Sequence, residues 1–305
     1  MSPTLYFLTG PTASGKTALS LRLAMELDAE IISCDSLQIY EGMDIGTAKP
    51  TSDELSAVVH HGIGVFPVNR GVSVHDFSLL ASAAVEDIHN RGKSVLVTGG
   101  SGFYLKSFLE PIIDDIVISR ETRSVVNSLY ENSGLASVVA RLQELNPNGV
   151  GGLDIQNPRR VIRALERCLQ SGDSVLQLRA NLATLPEPYA GIEKRLCVIQ
   201  REDNTLRKRI EQRTREMLNA GLVEEVRELI TLGLLDNKSA SASIGYRETI
   251  AFINGTLESE LDETINLHTW QLVRKQRKWF RKELSNSRAV NLDFFAEPSL
   301  KHVFG

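Results

Sequence analysis

The stretch Gly10-Pro11-Thr12-Ala13-Ser14-Gly15-Lys16-Thr17 sets two glycines five residues apart, with a lysine and a threonine directly after the second. Glycines let backbone N–H groups converge on an anion, a lysine ammonium neutralises phosphate oxygens, and a threonine hydroxyl suits a magnesium ion. Ser14 and Thr12 add two hydroxyls. An apolar run, Thr4 to Thr9, precedes the loop, and the helix-forming ALSLRLAMEL follows from Ala18. Strand, loop and helix in that order favour phosphate binding over a plain glycine turn. Asp35 directly follows a second apolar run, Glu30 to Cys34, which aims its carboxylate at the same sheet edge. Three roles are open to it: positioning magnesium through water, accepting a proton from a second substrate, or capping a turn. Ser36 and Gln38 can hydrogen-bond a base or a phosphate.

These groups need a scaffold. Ser94 to Thr98 reads as a further strand, entering Gly99-Gly100-Ser101-Gly102 ahead of a helix over 103–109, and Leu196 to Gln200 as a fourth. Strands alternating with helices predict an α/β fold, a parallel sheet flanked by helices with its function at the carboxyl ends of the strands. Ordinary triphosphatases often carry an aspartate at the end of a core strand; Thr98 and Gly99 stand here, which weakens a hydrolytic reading. Residues 116–194 show helical segments and no clear strand. They are expected to form an inserted helical lobe, leaving 1–115 and 195–305 as the core. Helices are expected over 204–219, 223–232 and 261–284, with a short strand at AVNLD.

The 305 residues carry a formal charge of −4, with 42% hydrophobic and 24% charged side chains, so any basic surface for a polyanion must be local. Three stretches qualify. Asn157 and Pro158 form a helix start, after which Arg159, Arg163 and Arg167 share one side and Ile162, Leu165 and Leu169 the other. That side either grips a phosphate backbone or is a solvated charged face. Arg207, Lys208, Arg209, Arg213 and Arg215 form the second cluster. The third, Arg274, Lys275, Arg277, Lys278, Arg281 and Lys282, lies beside Trp270 and Trp279, where cation–π packing is the alternative. Cys34, Cys168 and Cys197 are too scattered for a disulfide framework or zinc site, and His60 and His61 lack metal-spaced partners. With no leader-like start and no membrane-length apolar run, a cytoplasmic protein is expected.

GPTASGKT, CDSLQIYEGMDIGTAKPT, TGGSGFYLKSFLE, NPRRVIRALE, IEQRTREMLNAGLVEEV, SIGYRE and RKQRKWFR follow one another in an order that resembles the bacterial-type tRNA dimethylallyltransferases (tRNA isopentenyltransferases). The resemblance runs from Leu5 to about Arg281. It implies a P-loop NTPase-like core with an inserted lobe that grips the tRNA anticodon stem. It further implies transfer of a dimethylallyl group from dimethylallyl diphosphate to the exocyclic amine of adenine 37, with Mg2+ as cofactor and the protein a monomer. Gly10 to Thr17 would hold the diphosphate as a leaving group. Lys16, Thr17 and Arg213 would stabilise the departing pyrophosphate, with magnesium on Thr17, while Asp35 takes the proton and Ser101 completes the catalytic set. Contacts with tRNA are implied at Asp35, Ser36, Leu37 and Gln38, at Ser101 and Arg123, and at Arg159, Arg160, Val161, Ile162 and Arg163. A last group comprises Ala242, Ser243, Ile244, Gly245, Tyr246 and Arg247.

There are departures: Ser101 stands where threonine is usual, Leu37 where arginine is common, and HHGIGVFPVN replaces the familiar acidic ending after the paired histidines. No Cys and His pattern follows Arg281. Three other functions compete: prenylation of free adenosine nucleotides, a small-molecule kinase, and a non-catalytic nucleotide-gated RNA-binding protein.

Overall fold

In the computed structural model, which describes residues 4–295 and 297–305, the apolar runs assemble as strands. They are Thr4–Thr9 (β1), Ala29–Ser33 (β2), His60–His61 (β3), Ser94–Gly99 (β4), Glu193–Gln200 (β5) and Arg288–Asn291 (β6). Among the described residues they form one parallel sheet in the order β3-β2-β4-β1-β5-β6. The first four helices are Lys16–Glu26 (α1), Ser52–Ala57 (α2), Val74–Asn90 (α3) and Gly102–Leu109 (α4). Arg120–Glu144 (α5), Pro158–Ser171 (α6) and Val175–Ala183 (α7) follow. The remainder are Asp203–Asn219 (α8), Leu222–Thr231 (α9), Lys238–Ser241 (α10), Tyr246–Ile253 (α11), Leu261–Glu283 (α12) and Leu300–Phe304 (α13).

The chain divides into two units, Met1–Phe108 with Gly191–Gly305, and Leu109–Ala190. The sheet unit covers both faces of its strands. Leu8, Ile31, Leu96 and Ile199 pack with Leu19 and Leu23 of α1 and Val303 of α13 in one cluster. Phe7 meets Phe108 of α4 edge-on at 5.6 Å between ring centroids, and Phe77 of α3 stacks on Tyr104 at 4.0 Å. Burial on both faces is why these strands read as continuous apolar runs.

The other unit is helical among its described residues, with its own core of Val126, Val138, Leu142, Val161, Leu165 and Cys168. Its limits are Leu109 and Ala190 where 116 and 194 were expected; the later limit falls early because β5 begins at Glu193 and pairs with β1 from Thr4 onward. The polar start of β5, Glu193-Lys194-Arg195, carries no apolar signal. In α6 the Asn157 side chain accepts the Arg160 amide at 3.2 Å and Pro158 opens the helix. The buried stripe is Val161, Leu165 and Cys168, and Arg167 is half-buried against Asp114. The exposed basic side is therefore Arg159, Arg160 and Arg163, one turn shorter than the expected Arg159, Arg163, Arg167 row.

Close packing at the sheet edge requires glycine at one position. A Cβ built on Gly99 would lie 2.1 Å from the Cys34 carbonyl oxygen, and backbone cannot give way as a side chain can. Gly99→Ala should therefore destabilise the protein by about 2 kcal/mol or more. Gly71→Ala, with no atom within 4 Å of the new methyl, should shift stability by under about 0.5 kcal/mol. Chemical denaturation of both variants checks this; equal midpoints would contradict the packing account.

Candidate active site

The sheet register brings three loops together. Thr9 of β1 lies opposite Gly99 of β4 and Val198 of β5, and Ser33 of β2 lies opposite Thr98. The chain leaves all four strands at one edge, so Gly10–Thr17, Cys34–Gln38 and Gly100–Ser101 emerge side by side, with Arg201 next to them. This is the carboxyl edge at which open α/β sheets place their sites.

Gly15, in the left-handed conformation at φ 93°, caps α1 without a side chain, so the loop turns directly into the helix amino terminus. The Ser14 side chain is buried, and its Oγ has no hydrogen-bond partner among the described residues. A buried hydroxyl without a partner is uncommon, and a phosphate oxygen would satisfy it. Lys16 Nζ donates to the carbonyls of Gly10 at 2.9 Å and Pro11 at 2.8 Å. Burial pushes its pKa down to about 8, with Asp35 opposing the shift and Arg213 adding to it. Thr17 is exposed at the first turn of α1.

Side chains from α8 and α12 hold this loop in place. Arg213 donates through Nη1 to Thr12 Oγ1 at 3.2 Å and through Nη2 to the Thr47 carbonyl at 3.1 Å. Arg209 Nε reaches the Ala13 carbonyl at 2.7 Å, and Arg201 Nε reaches the Ser14 carbonyl at 2.7 Å. Gln276 accepts the Thr12 amide at 2.9 Å and donates to the Gly100 carbonyl at 3.0 Å, joining the two glycine loops. Burial lowers the Arg213 pKa from its ordinary value, with Asp35 opposing.

Asp35 divides its carboxylate between two tasks. Oδ1 accepts the Leu37 amide at 2.9 Å and the Gln38 amide at 3.4 Å, so the capping role is real. Oδ2 accepts no hydrogen bond among the described residues, and the residue lines the cavity. Gln38 accepts from Ser33 Oγ at 2.9 Å and turns its amide toward the Thr47 and Ala48 carbonyls. The cavity, about 560 Å³, is lined by Ser14, Lys16, Asp35, Thr47, Gly100 and Arg213 among others, a size that suits a small phosphorylated molecule.

The remaining expected residues lie elsewhere. Gly10 and Pro11 serve the cavity through their carbonyls on Lys16, and Ser36 is exposed outside it. Ser101 does not line the cavity; its amide bonds to the Cys34 carbonyl at 3.2 Å and its carbonyl starts α4. In the 242–247 stretch, Ala242 and Arg247 are exposed and Ser243 and Ile244 half-buried. Gly245 and Tyr246 are buried, the Gly245 amide on Glu248 Oε2 at 2.7 Å and the Tyr246 hydroxyl on Glu225 Oε1 at 2.7 Å. Arg123, Arg159, Arg160 and Arg163 are exposed in the helical unit, where Val161 is buried and Ile162 half-buried.

His61 Nε2 lies 2.8 Å from Glu30 and His60 Nδ1 lies 2.7 Å from the Val58 carbonyl, so both rings have protein partners. Arg207 stacks over Trp270 at 3.9 Å from the ring centroid, and Arg277 pairs with Asp203, so part of the basic clusters is packing. Sequence reasoning missed Gln276, Arg201, Thr47 and Glu225. Thr47 and Glu225 sit inside GMDIGTAKP and LVEEV, which gave the segments but no role for the residue.

Comparison with known proteins identifies the family. A sequence model described as IPP transferase matches residues 38–283. The tRNA dimethylallyltransferase of Opitutus terrae is 47% identical over 290 residues, covering 95% of this chain and 93% of the relative. The tRNA dimethylallyltransferase 2 of Geotalea daltonii is 38% identical, covering 92% and 85%. A crystal structure of the tRNA isopentenylpyrophosphate transferase of Bacillus halodurans superposes with a TM-score of 0.68 at 30% identity, covering 95% of this chain and 90% of that one. A eukaryotic dimethylallyltransferase acting on tRNA shares the fold, with a TM-score of 0.81 at 22% identity over 95% of this chain and 74% of that one. The chain thus belongs to the IPP transferase family, the prenyl-transferring tRNA dimethylallyltransferases.

Proposed function

We infer that the cavity binds dimethylallyl diphosphate and transfers its five-carbon group to the exocyclic amine of adenine 37 in a tRNA anticodon stem-loop, with release of pyrophosphate. The observation that carries this reading is the juxtaposition of an anion cradle, built from Ser14, Lys16 and Arg213, with the Asp35 carboxylate, which lines the same cavity. The adenine nitrogen attacks the allylic carbon, the carbon–oxygen bond breaks, and its electron pair leaves on pyrophosphate. Lys16 and Arg213 stabilise the charge that develops there. Asp35 Oδ2 takes the proton from the amine, whose lone pair is delocalised into the ring and needs that assistance. A base stacked within a loop cannot enter such a cavity, so the adenine is extruded into it.

Hard oxygen donors at the cradle suit magnesium. Thr17 Oγ1 has no protein partner among the described residues, and with diphosphate oxygens it would hold the ion, which neutralises phosphate charge when bound. The exposed Arg159, Arg160 and Arg163 would contact tRNA phosphates, while the buried side chains of Val161 and Tyr246 support their neighbours.

The reaction is tested by mass spectrometry of nucleosides from an unmodified tRNA with adenines at positions 36 to 38, incubated with protein, magnesium and dimethylallyl diphosphate beside free adenosine monophosphate. Isopentenyladenosine from the tRNA alone is expected; product from the free nucleotide alone overturns the substrate class. Asp35→Asn keeps an oxygen for the Leu37 and Gln38 amides but cannot take a proton. It should lower single-turnover rates by roughly 10²- to 10⁴-fold with tRNA affinity nearly intact, and a wild-type rate would remove Asp35 as the base.

Lys16 supplies a pH test. Its depressed pKa, about 8, rises when an anion binds, so binding near that pH takes up a proton and affinity falls as pH rises through it. Calorimetry of dimethylallyl diphosphate binding in buffers of different ionisation enthalpy should show the uptake; constant affinity from about pH 7 to about pH 9 would contradict it. Arg159→Ala and Arg163→Ala should each weaken tRNA binding and reduce the slope of log affinity against log salt by about 1, leaving diphosphate affinity unchanged. Unchanged slopes would exclude these phosphate contacts.

A further inference from the structure

Glu225 of α9 lies outside the cavity lining, yet its carboxylate is saturated with donors. Oε2 accepts the amides of Asp44 at 3.0 Å and Ile45 at 2.6 Å, and Oε1 accepts the Gly46 amide at 3.1 Å and the Tyr246 hydroxyl at 2.7 Å. Three successive backbone N–H groups converging on one carboxylate fix the course of the 44–46 segment, since each bond is charge-assisted. The Tyr246 ring closes the other side. A Cβ on Gly46 would lie 2.6 Å from its ring carbons, so the loop approaches the ring as only glycine allows. Burial and the neighbouring carboxylate hold the Tyr246 phenol well above its ordinary pKa, so it remains a donor.

The next residue carries the consequence. The Thr47 side chain is buried, with Oγ1 on the Met43 carbonyl at 2.7 Å, so its peptide follows wherever the preceding amides are pinned. The Thr47 carbonyl accepts Arg213 Nη2 at 3.1 Å, while Nη1 of the same guanidinium reaches Thr12 of the phosphate loop. One end of the arginine is thus oriented by the cradle it serves and the other by a loop that Glu225 holds.

We propose that Glu225 is a positioning residue for leaving-group stabilisation: through the 44–47 segment and the Thr47 carbonyl it sets the orientation of Arg213 toward the pyrophosphate. This rests on the diphosphate reading of the cavity given above. Glu225→Gln replaces one acceptor oxygen by an amide NH2, a donor facing the Asp44–Gly46 N–H donors, which releases the segment and leaves Arg213 oriented from one side only.

The test is a double-mutant cycle on the full chain, reading inorganic pyrophosphate affinity by calorimetry with magnesium present and the single-turnover transfer rate. Glu225→Gln should weaken pyrophosphate binding and slow transfer by roughly tenfold, with tRNA affinity little changed. In an Arg213→Gln background the same substitution should have almost no further effect on pyrophosphate, because the group it orients is gone. Additive losses would overturn the proposal, since a merely structural carboxylate would weaken both backgrounds alike. Wild-type pyrophosphate affinity in Glu225→Gln, with Arg213→Gln clearly impaired, would also overturn it while leaving the diphosphate reading intact. If wild-type protein and Arg213→Gln bind pyrophosphate equally, both readings fall. Should Glu225→Gln not fold, Gly46→Ala displaces the same segment from the Tyr246 ring with Glu225 in place, and the same non-additivity is required of it.

Discussion

Lys16, Arg209 and Arg213 converge around one short loop, and this concentration of positive charge is the constraint around which the sheet unit is arranged. Burial lowers the pKa of both Lys16 and Arg213, with Arg213 adding to the first shift and Arg209 to the second, so each cation makes the next more costly to keep charged. Asp35 opposes both shifts but is a single carboxylate with one oxygen committed to a turn. An anion placed among Ser14, Lys16 and Arg213 would relieve the repulsion and satisfy the orphaned Ser14 hydroxyl together. A site of this kind is preorganised for a group that gains negative charge, which is the property wanted of a leaving-group pocket.

The fold supplies that preorganisation from several directions. Parallel register delivers the phosphate loop, the Asp35 turn and the Gly99-Gly100 loop to one edge, and helices remote in sequence lock them. α8 contributes Arg209 and Arg213, α12 contributes Gln276, and Arg201 just after β5 holds the Ser14 carbonyl. Backbone carbonyls of the loop are thereby engaged by side chains. Charge is concentrated in a chain that is acidic overall because fold and site are built by separate residues: apolar strands form the sheet, and arginines of one helix face the edge.

Much of this was legible in the sequence for physical reasons. The phosphate loop, β1 and β4 announce themselves by local signals, glycine spacing and runs of Leu, Phe and Val, which need no partner to be read. β3, only His60 and His61, has no apolar signal, and its pairing with β2 depends on the sheet already existing. The arginine rows were seen, but helical spacing cannot tell which arginine finds an acid. Arg167 turned to Asp114 and Arg277 to Asp203, contacts made by residues 53 and 74 positions away. Gln276 and Glu225 were unreadable for the same reason, since their roles exist only where distant backbone presents its N–H and C=O groups. Resemblance named the segments carrying these residues, and three-dimensional contact says what they do.

On the proposed function, the phosphate loop holds a leaving diphosphate rather than a triphosphate to be cleaved. This is tested most directly by following phosphorus in one reaction mixture containing protein, magnesium, tRNA, dimethylallyl diphosphate and ATP. Pyrophosphate is expected in equal amount to the prenylated adenine, with no orthophosphate or phosphorylated product drawn from ATP. Tightly coupled ATP consumption, or prenylated tRNA without matching pyrophosphate, would contradict it.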